Sequence, residues 1–237
     1  MKIKRSSFVW PYSVWMVAFI VLPMVFILYY AFTKDGAFSL EPITAAIQPN
    51  NLRVLGISIL YALATTALCL LLGYPAAFLL SSMKKSVAAF LSVFFIVPMW
   101  MNFLLRTYAW KVILNAVVPH LTYTPFAVLL GMVYNFLPFM ILPIYTILSK
   151  MDKSYAEAAG DLGATPAETF TKVTLPLSVP GIVSVITMVF VPSITAFAIS
   201  TILGGSKNAL FGDLIQIQFT SGEAFSRNVG SALSLVT

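Results

Sequence analysis

Hydrophobic residues in this chain are gathered into long runs, and the charged residues fall between the runs. Five segments contain no Asp, Glu, Lys, Arg or His, namely residues 8–33, 54–83, 86–105, 127–149 and 173–206. Each is long enough for the roughly 20 helical residues that cross a hydrocarbon core of about 30 Å. Because strand-like alternation is absent and a lone segment satisfies its own backbone in lipid only as a helix, the runs predict membrane-spanning α-helices.

The predicted fold is an all-α membrane protein, a polytopic helical bundle in which residues 1–237 form a single transmembrane domain. The predicted spans cover residues ~8–32, ~54–82, ~86–105, ~125–149 and ~177–203, and a sixth, ~228–237, is expected to be incomplete. The first run is too long for the ~7–15-residue apolar region of a secretory signal peptide, and no cleavage site of small residues follows it. We therefore expect it to remain as an uncleaved span.

Composition agrees with a chain surrounded by lipid. Hydrophobic residues make up 59% of the sequence and charged residues 9%, whereas soluble domains have about 25% charged residues. The net charge of +6 comes from scattered residues rather than a basic stripe. That scatter is typical of loops beside anionic lipid, so the bilayer is an expected partner and nucleic acid is not.

The distribution of Lys and Arg predicts how the chain is oriented. The N-terminus, the Lys84–Lys85 hairpin and the 150–172 loop carry more Lys and Arg than the loops on the opposite side. Basic loops remain preferentially in the cytoplasm. We therefore expect a multi-pass protein of the cytoplasmic (inner) membrane with a cytoplasmic N-terminus.

The 150–176 loop contains two helix-start signatures in tandem. Ser154-x-x-Glu157 matches a capping box, and Thr165-Pro-Ala-Glu168 matches a second one with proline at the favoured first helical position. Gly163 lies between them, where a left-handed residue would end the first helix. The pattern predicts a short helix, a glycine turn and a second short helix, which together form a rigid knob.

The same loop resembles the EAA loop of type I ABC-importer permeases. The resemblance rests on Glu157-Ala-Ala-x-x-x-Gly163, followed by Phe170, Val173 and Leu175-Pro176, just before the penultimate span. It implies the type I ABC importer fold of six transmembrane helices and a loop that couples to an ATPase. The implied coupling residues are Glu157, Ala158, Ala159, Asp161, Gly163, Thr165 and Phe170. The implied partners are a homologous second permease subunit, two ATP-binding subunits and an extracytoplasmic substrate-binding protein.

A narrower resemblance suggests the cargo. Residues 65–78, 105–110, 133–140 and 204–208 are similar to the spermidine/putrescine permeases, and among them to the first of the two permease subunits. This similarity implies a polyamine cargo. Permeases for thiamine, iron, sulfate and phosphonates share parts of these patterns, so another small solute remains the alternative.

A polyamine path without buried carboxylates would depend on aromatic rings and neutral dipoles. A desolvated cation–π contact contributes about 2 kcal/mol. The candidate path residues are Trp100, Asn102, Tyr108, Trp110, Tyr134, Asn135, Thr195 and Phe197. Most of the aromatic residues could equally belong to an interfacial belt or to interhelical packing. We expect Arg106 to be an interfacial anchor rather than a ligand, and it would repel a cation if it faced the path.

The residue inventory weighs against other functions. The chain has no G-x-x-x-x-G-K-[ST] sequence and a single histidine, His120, so we expect neither P-loop ATP binding nor a Ser-His-Asp or HExxH enzyme. We expect no cofactor and no metal. An ion-coupled secondary carrier is the alternative from another class. Such carriers usually place ionisable residues within the membrane, whereas all eight acidic residues here lie in predicted loops.

Overall fold

The computed structural model describes residues 6–205 and 208–236, and within them the fold is α-helical. In chain order the helices are α1 (Ser6–Met16), α2 (Leu22–Ala31), α3 (Glu41–Ala46), α4 (Pro49–Ser82), α5 (Lys85–Trp100), α6 (Phe103–Val117), α7 (Pro125–Lys150), α8 (Ser154–Asp161), α9 (Pro166–Thr169), α10 (Leu175–Ile194), α11 (Phe211–Thr220) and α12 (Ala224–Val236). Three π-helical segments, Val17–Val21, Phe170–Thr174 and Ser200–Gly204, and a 3₁₀ turn, Pro119–Leu121, lie between them. A two-stranded hairpin joins β1 (Thr33–Lys34) to β2 (Ala37–Phe38).

Four helical stretches of the described chain are long and apolar enough to cross a membrane. They are Trp10–Ala31, Pro49–Ser82, Pro125–Lys150 and Pro166–Ile194, and the pair α5–α6 is a fifth candidate that bends by 96°. The prediction of an all-α polytopic membrane protein is therefore confirmed. The basic residues Lys2, Lys4, Arg5 and Lys207, and the final residue of the predicted sixth span, Thr237, lie outside the described residues.

Helix bounds differ from the predicted spans where the chain bends. The predicted span ~86–105 crosses a break, because α5 ends at Trp100 and α6 begins at Phe103. Met101 is extended, and the Asn102 side chain caps α6 by accepting a hydrogen bond from the Leu104 N–H at 2.8 Å. Pro98 in the last turn of α5 is compatible with this ending. The predicted span ~177–203 likewise divides, since α10 ends at Ile194 and a π-helical segment follows at 200–204.

The chain forms two compact units, and the division falls within α4. The first unit comprises the described residues up to Leu55 and those from Phe211 onward. Its core contains Ala31 of α2, Ala46 of α3 and Phe211 of α11, with Val229 and Leu233 of α12 packed among them. The β-hairpin turns at Asp35 and Gly36, both with positive φ, as a tight Asp-Gly hairpin turn requires.

The second unit comprises residues Gly56–Leu210 and contains both candidate sites. Its main core is built from α4, α7 and α10, and the largest fully buried side chains there include Met140, Ile141 and Ile144. Glycine lets these helices approach closely, since a Cβ at Gly73 would lie 3.0 Å from the Met140 Cγ atom. Small residues at such crossings are typical of helix packing in membranes.

Candidate functional site

The first helix of the 150–176 loop, α8, begins differently from the prediction. The predicted capping box between Ser154 and Glu157 is wrong, because the N-cap residue is Lys153 and no side chain caps the helix there. Instead the Ser154 backbone N–H donates to the Asp152 Oδ1 atom at 3.0 Å. This hydrogen bond, which favours the ionised carboxylate, lowers the pKa of Asp152. The Glu157 side chain is exposed and is left available for a partner.

Gly163 ends α8 as predicted. Its φ is +85°, in the left-handed region that favours glycine, and a Cβ there would meet no atom within 4 Å. The Gly163 N–H donates to the Gly160 carbonyl at 2.9 Å, and the Ala164 N–H donates to the Ala159 carbonyl at 3.0 Å. This pair of bonds is a Schellman motif. The turn is therefore fixed by backbone conformation rather than by packing.

The second predicted capping box is confirmed at the start of α9. The Glu168 N–H donates to Thr165 Oγ1 at 3.3 Å, and the Thr165 N–H donates to Glu168 Oε2 at 3.0 Å. Lys172 adds an ion pair one turn later, with its Nζ 3.0 Å from Glu168 Oε1. Because two donors at the helix start are satisfied reciprocally, this half of the loop has a defined shape.

Phe170 joins the loop to a membrane-spanning helix. Its ring meets the Phe78 ring edge to face at 5.0 Å and the Tyr74 ring at 5.8 Å, both on α4. The Tyr74 hydroxyl in turn shares a hydrogen bond of 3.1 Å with Ser178 Oγ on α10. These contacts connect the loop to α4 and, through Tyr74, connect α4 to α10.

The surface of the loop around α8 is open. The Leu162 side chain is 90% exposed, the Tyr155 side chain is 56% exposed, and Glu157 is exposed as well. Ala158 and Asp161 are exposed as well, whereas Ala159 is half-buried. The exposed side chains are therefore accessible to another protein.

Three of the predicted path residues line one cavity of about 330 Å³ that is open to the surface of this chain. Asn135 of α7, Thr195 at the end of α10, and Phe197 line it together with Arg106 of α6. Phe197 packs edge to face against Phe103, with ring centroids 5.9 Å apart. We call this space the Arg106 cavity.

The remaining predicted path residues lie elsewhere. Trp110 and Tyr134 stack edge to face at 5.4 Å and line a separate, apolar cavity of about 310 Å³. Trp100 is 86% exposed, Tyr108 is also exposed, and Asn102 caps α6, and none of the three lines either cavity. The eight predicted path residues therefore do not all line the same cavity among the described residues.

Two residues of interest were missed by the sequence interpretation. Leu162 gave a faint signal, as a leucine directly before the glycine that ends a polar helix. Arg106 was expected at the membrane interface, but it is only 7% exposed and lines the cavity. No pattern in the sequence indicates this, because the bend between α5 and α6 determines where Arg106 lies.

Comparison with known proteins gives a family match over most of the chain. The family model described as "Binding-protein-dependent transport system inner membrane component" matches residues 69–236. The spermidine/putrescine transport system permease protein PotB of Escherichia coli (strain K12) is 37% identical over 227 residues, covering 86% of this chain and 82% of that protein. PotB of Haemophilus influenzae is 35% identical over 246 residues, covering 93% and 84%.

A solved structure shows the same fold. It is the crystal structure of a bacterial ABC transporter involved in the import of the acidic polysaccharide alginate. The matched chain aligns with a TM-score of 0.68 over 98% of this chain and 88% of its own length, at 14% identity. At that identity the likeness concerns the fold alone.

Proposed function

Since this chain belongs to the family of binding-protein-dependent transport system inner membrane components, we propose that it is the permease subunit of an ATP-driven importer for a polyamine such as spermidine or putrescine. It is a multi-pass inner membrane protein and a transport subunit. In the proposed assembly it pairs with a homologous second permease, two ATP-binding subunits that hydrolyse ATP, and an external substrate-binding protein.

The observation that carries the importer proposal is that the 150–176 loop is both exposed and fixed to a span. Tyr155, Glu157 and Leu162 are exposed and available to a partner, and Phe170 contacts Tyr74 and Phe78 of α4. A loop with a defined shape can pass the movement of a bound ATPase to the helix that it contacts. In the proposed cycle, ATP closes the ATPase dimer, the loop moves with it, and the spans switch from inward to outward opening.

The polyamine proposal is supported by similarity to two PotB permeases at 35% identity or more over most of the chain. Trp110 and Tyr134, two of the predicted path residues, line the apolar cavity of about 310 Å³ and offer aromatic rings for cation–π contact with such a cargo. The alternative cargo is another small solute such as thiamine, iron or a phosphonate. In an importer for any of these, the loop would function in the same way.

Uptake by the reconstituted complex tests the proposal. We expect proteoliposomes containing both permeases, the ATPase and the binding protein to accumulate radiolabelled spermidine or putrescine only when ATP is enclosed. Thiamine and ferric iron serve as comparison cargoes. Uptake driven by a Na⁺ or proton gradient without the ATPase would instead favour a secondary carrier, and ATP-dependent uptake of only another solute would refute the polyamine assignment alone.

The proposed orientation makes a separate prediction. We expect cysteines at Lys84 and Ser154, introduced singly into a Cys69→Ser background, to be protected from an impermeant thiol reagent in intact cells. Cysteines at Glu41, His120 and Asn208 should react, because these positions are assigned to the outer side. Permeabilised cells provide the control for reactivity at each position. External labelling at position 84 would reverse the proposed topology.

A further inference from the structure

Arg106 is a buried cation without an acidic partner among the described residues. Its side chain is 7% exposed, and its Nε and Nη1 atoms are shielded and receive no hydrogen bond partner from the described chain. The ring of Tyr134, with its centroid 5.9 Å from Arg106 Cζ, offers a weak cation–π contact. A buried charge ordinarily requires a paired counter-charge as well as hydrogen bonds.

Within the described chain, the Arg106 cavity places two polar side chains with unpartnered atoms in a mostly apolar lining. Asn135, only 6% exposed, donates from Nδ2 to the Gly131 carbonyl at 2.8 Å, but its Oδ1 atom has no partner in the described part of the chain. The surrounding walls are mostly aromatic and aliphatic. Two unsatisfied polar side chains in an apolar surround favour a polar occupant, and the guanidinium specifically favours a carboxylate, whose geometry its planar donors match.

The depth of the cavity argues against a lipid phosphate as that occupant. Asn135 lies ten residues after Pro125, the first residue of α7, which places it about 15 Å along the helix at 1.5 Å per residue. That is close to half of a hydrocarbon core of about 30 Å. A headgroup at the membrane surface is therefore too far away to pair with Arg106.

Neither this chain nor its proposed cargo supplies the anion. All eight acidic residues of the chain belong to the described part, and none of them lines the Arg106 cavity. A polyamine is itself cationic and would be repelled. A transient cargo of any charge would also leave the guanidinium unpaired between transport cycles, so a permanent counter-charge is favoured.

We infer that the Arg106 cavity is a socket for a carboxylate side chain of the second permease subunit. The carboxylate pairs with Arg106 across the interface between the two permeases. The inference rests on the proposed two-permease importer and extends it to one ion pair. Pairing also removes a positive potential that would oppose the passage of a cationic cargo.

A double-mutant cycle in the assembled complex tests the socket. Arg106→Gln is combined with neutralisation, one at a time, of each Asp and Glu in the predicted spans of the partner permease. We expect Arg106→Gln alone to lower spermidine uptake about tenfold or more, since it leaves the partner's carboxylate buried without its counter-charge. For a single partner acid, the double variant should recover to within roughly threefold of the parent.

A control on the same helix separates the ion pair from a general effect of removing positive charge. Lys111→Gln removes a cation from α6 outside the cavity lining and should change uptake less than about twofold. The socket is refuted if the effects of Arg106→Gln and of each partner substitution on uptake simply add. It is also refuted if Arg106→Gln leaves uptake unchanged. A parent complex that imports an anion rather than spermidine refutes the polyamine function. The cycle is then run on that anion, and recovery in one double variant still supports the socket.

Discussion

Leu162→Asp is expected to detach one ATP-binding subunit from the assembled complex and to abolish cargo-stimulated ATP hydrolysis. Leu162 is 90% exposed at the end of α8, on the open surface of the 150–176 loop. Burying a leucine in a partner's groove contributes about 1.5–3 kcal/mol, which corresponds to roughly tenfold to 100-fold in affinity. A carboxylate buried at the same point adds a desolvation cost. Native mass spectrometry should show one ATPase per complex in place of two.

The matched control is Leu162→Met, which retains an apolar side chain of similar volume. Such exchanges usually cost less than about 1.5 kcal/mol, so both subunits should remain bound. Because Leu162 contacts little of its own chain, neither variant should impair membrane insertion. If Leu162→Asp retains both ATPases and full stimulation, the open surface of the loop is not the docking site.

The helices were predictable because lipid imposes a simple rule on the sequence. A backbone in lipid must satisfy its own hydrogen bonds, so charge-free runs long enough to cross the bilayer are helices. The rule does not locate breaks. At residues 101–102 the chain stays free of charged residues while the axis turns by 96°. Asn102 caps the start of α6 after α5 has ended at Trp100, but asparagine also occurs where no helix begins.

Local signals also predicted part of the 150–176 loop. The left-handed turn at Gly163 and the capping box of Thr165 and Glu168 depend on residues close in sequence, and both were found. The Ser154–Glu157 pair failed because Asp152 competes for the same backbone donor. A capping pattern indicates which hydrogen bonds can form at a helix start. A nearby carboxylate, here Asp152, can accept one of these hydrogen bonds instead.

The candidate path was the least predictable feature because it depends on distant residues meeting. Asn135, Thr195 and Phe197 come together only because α7 and α10 pack in one register. Arg106 lies beside them because α6 changes direction after the break at residues 101–102. No local sequence pattern predicts that change of direction. Trp100 was predicted to line the path, but it is 86% exposed on this chain although it lies within an apolar run.

Phe170→Ala is expected to leave both ATP-binding subunits in place but to uncouple them from transport. The variant removes the ring contacts with Phe78 and Tyr74 that join the loop to α4, at 5.0 and 5.8 Å. Replacing a core phenylalanine by alanine costs about 3–5 kcal/mol, and half-burial here suggests the lower end or less. Since an edge-to-face pair adds about 0.5–1.5 kcal/mol beyond burial, Phe78→Ala should reproduce most of the defect.

The readouts distinguish transmission from docking. In Phe170→Ala, spermidine uptake and cargo-stimulated hydrolysis should fall together by about tenfold or more, while unstimulated hydrolysis and the count of two ATPases persist. The double variant Phe170→Ala with Phe78→Ala should be little worse than either single change, because both remove the same contact. Additive losses would show that the rings act separately. Loss of an ATPase subunit, as expected for Leu162→Asp, would place Phe170 in the docking surface rather than in the link between the loop and the spans.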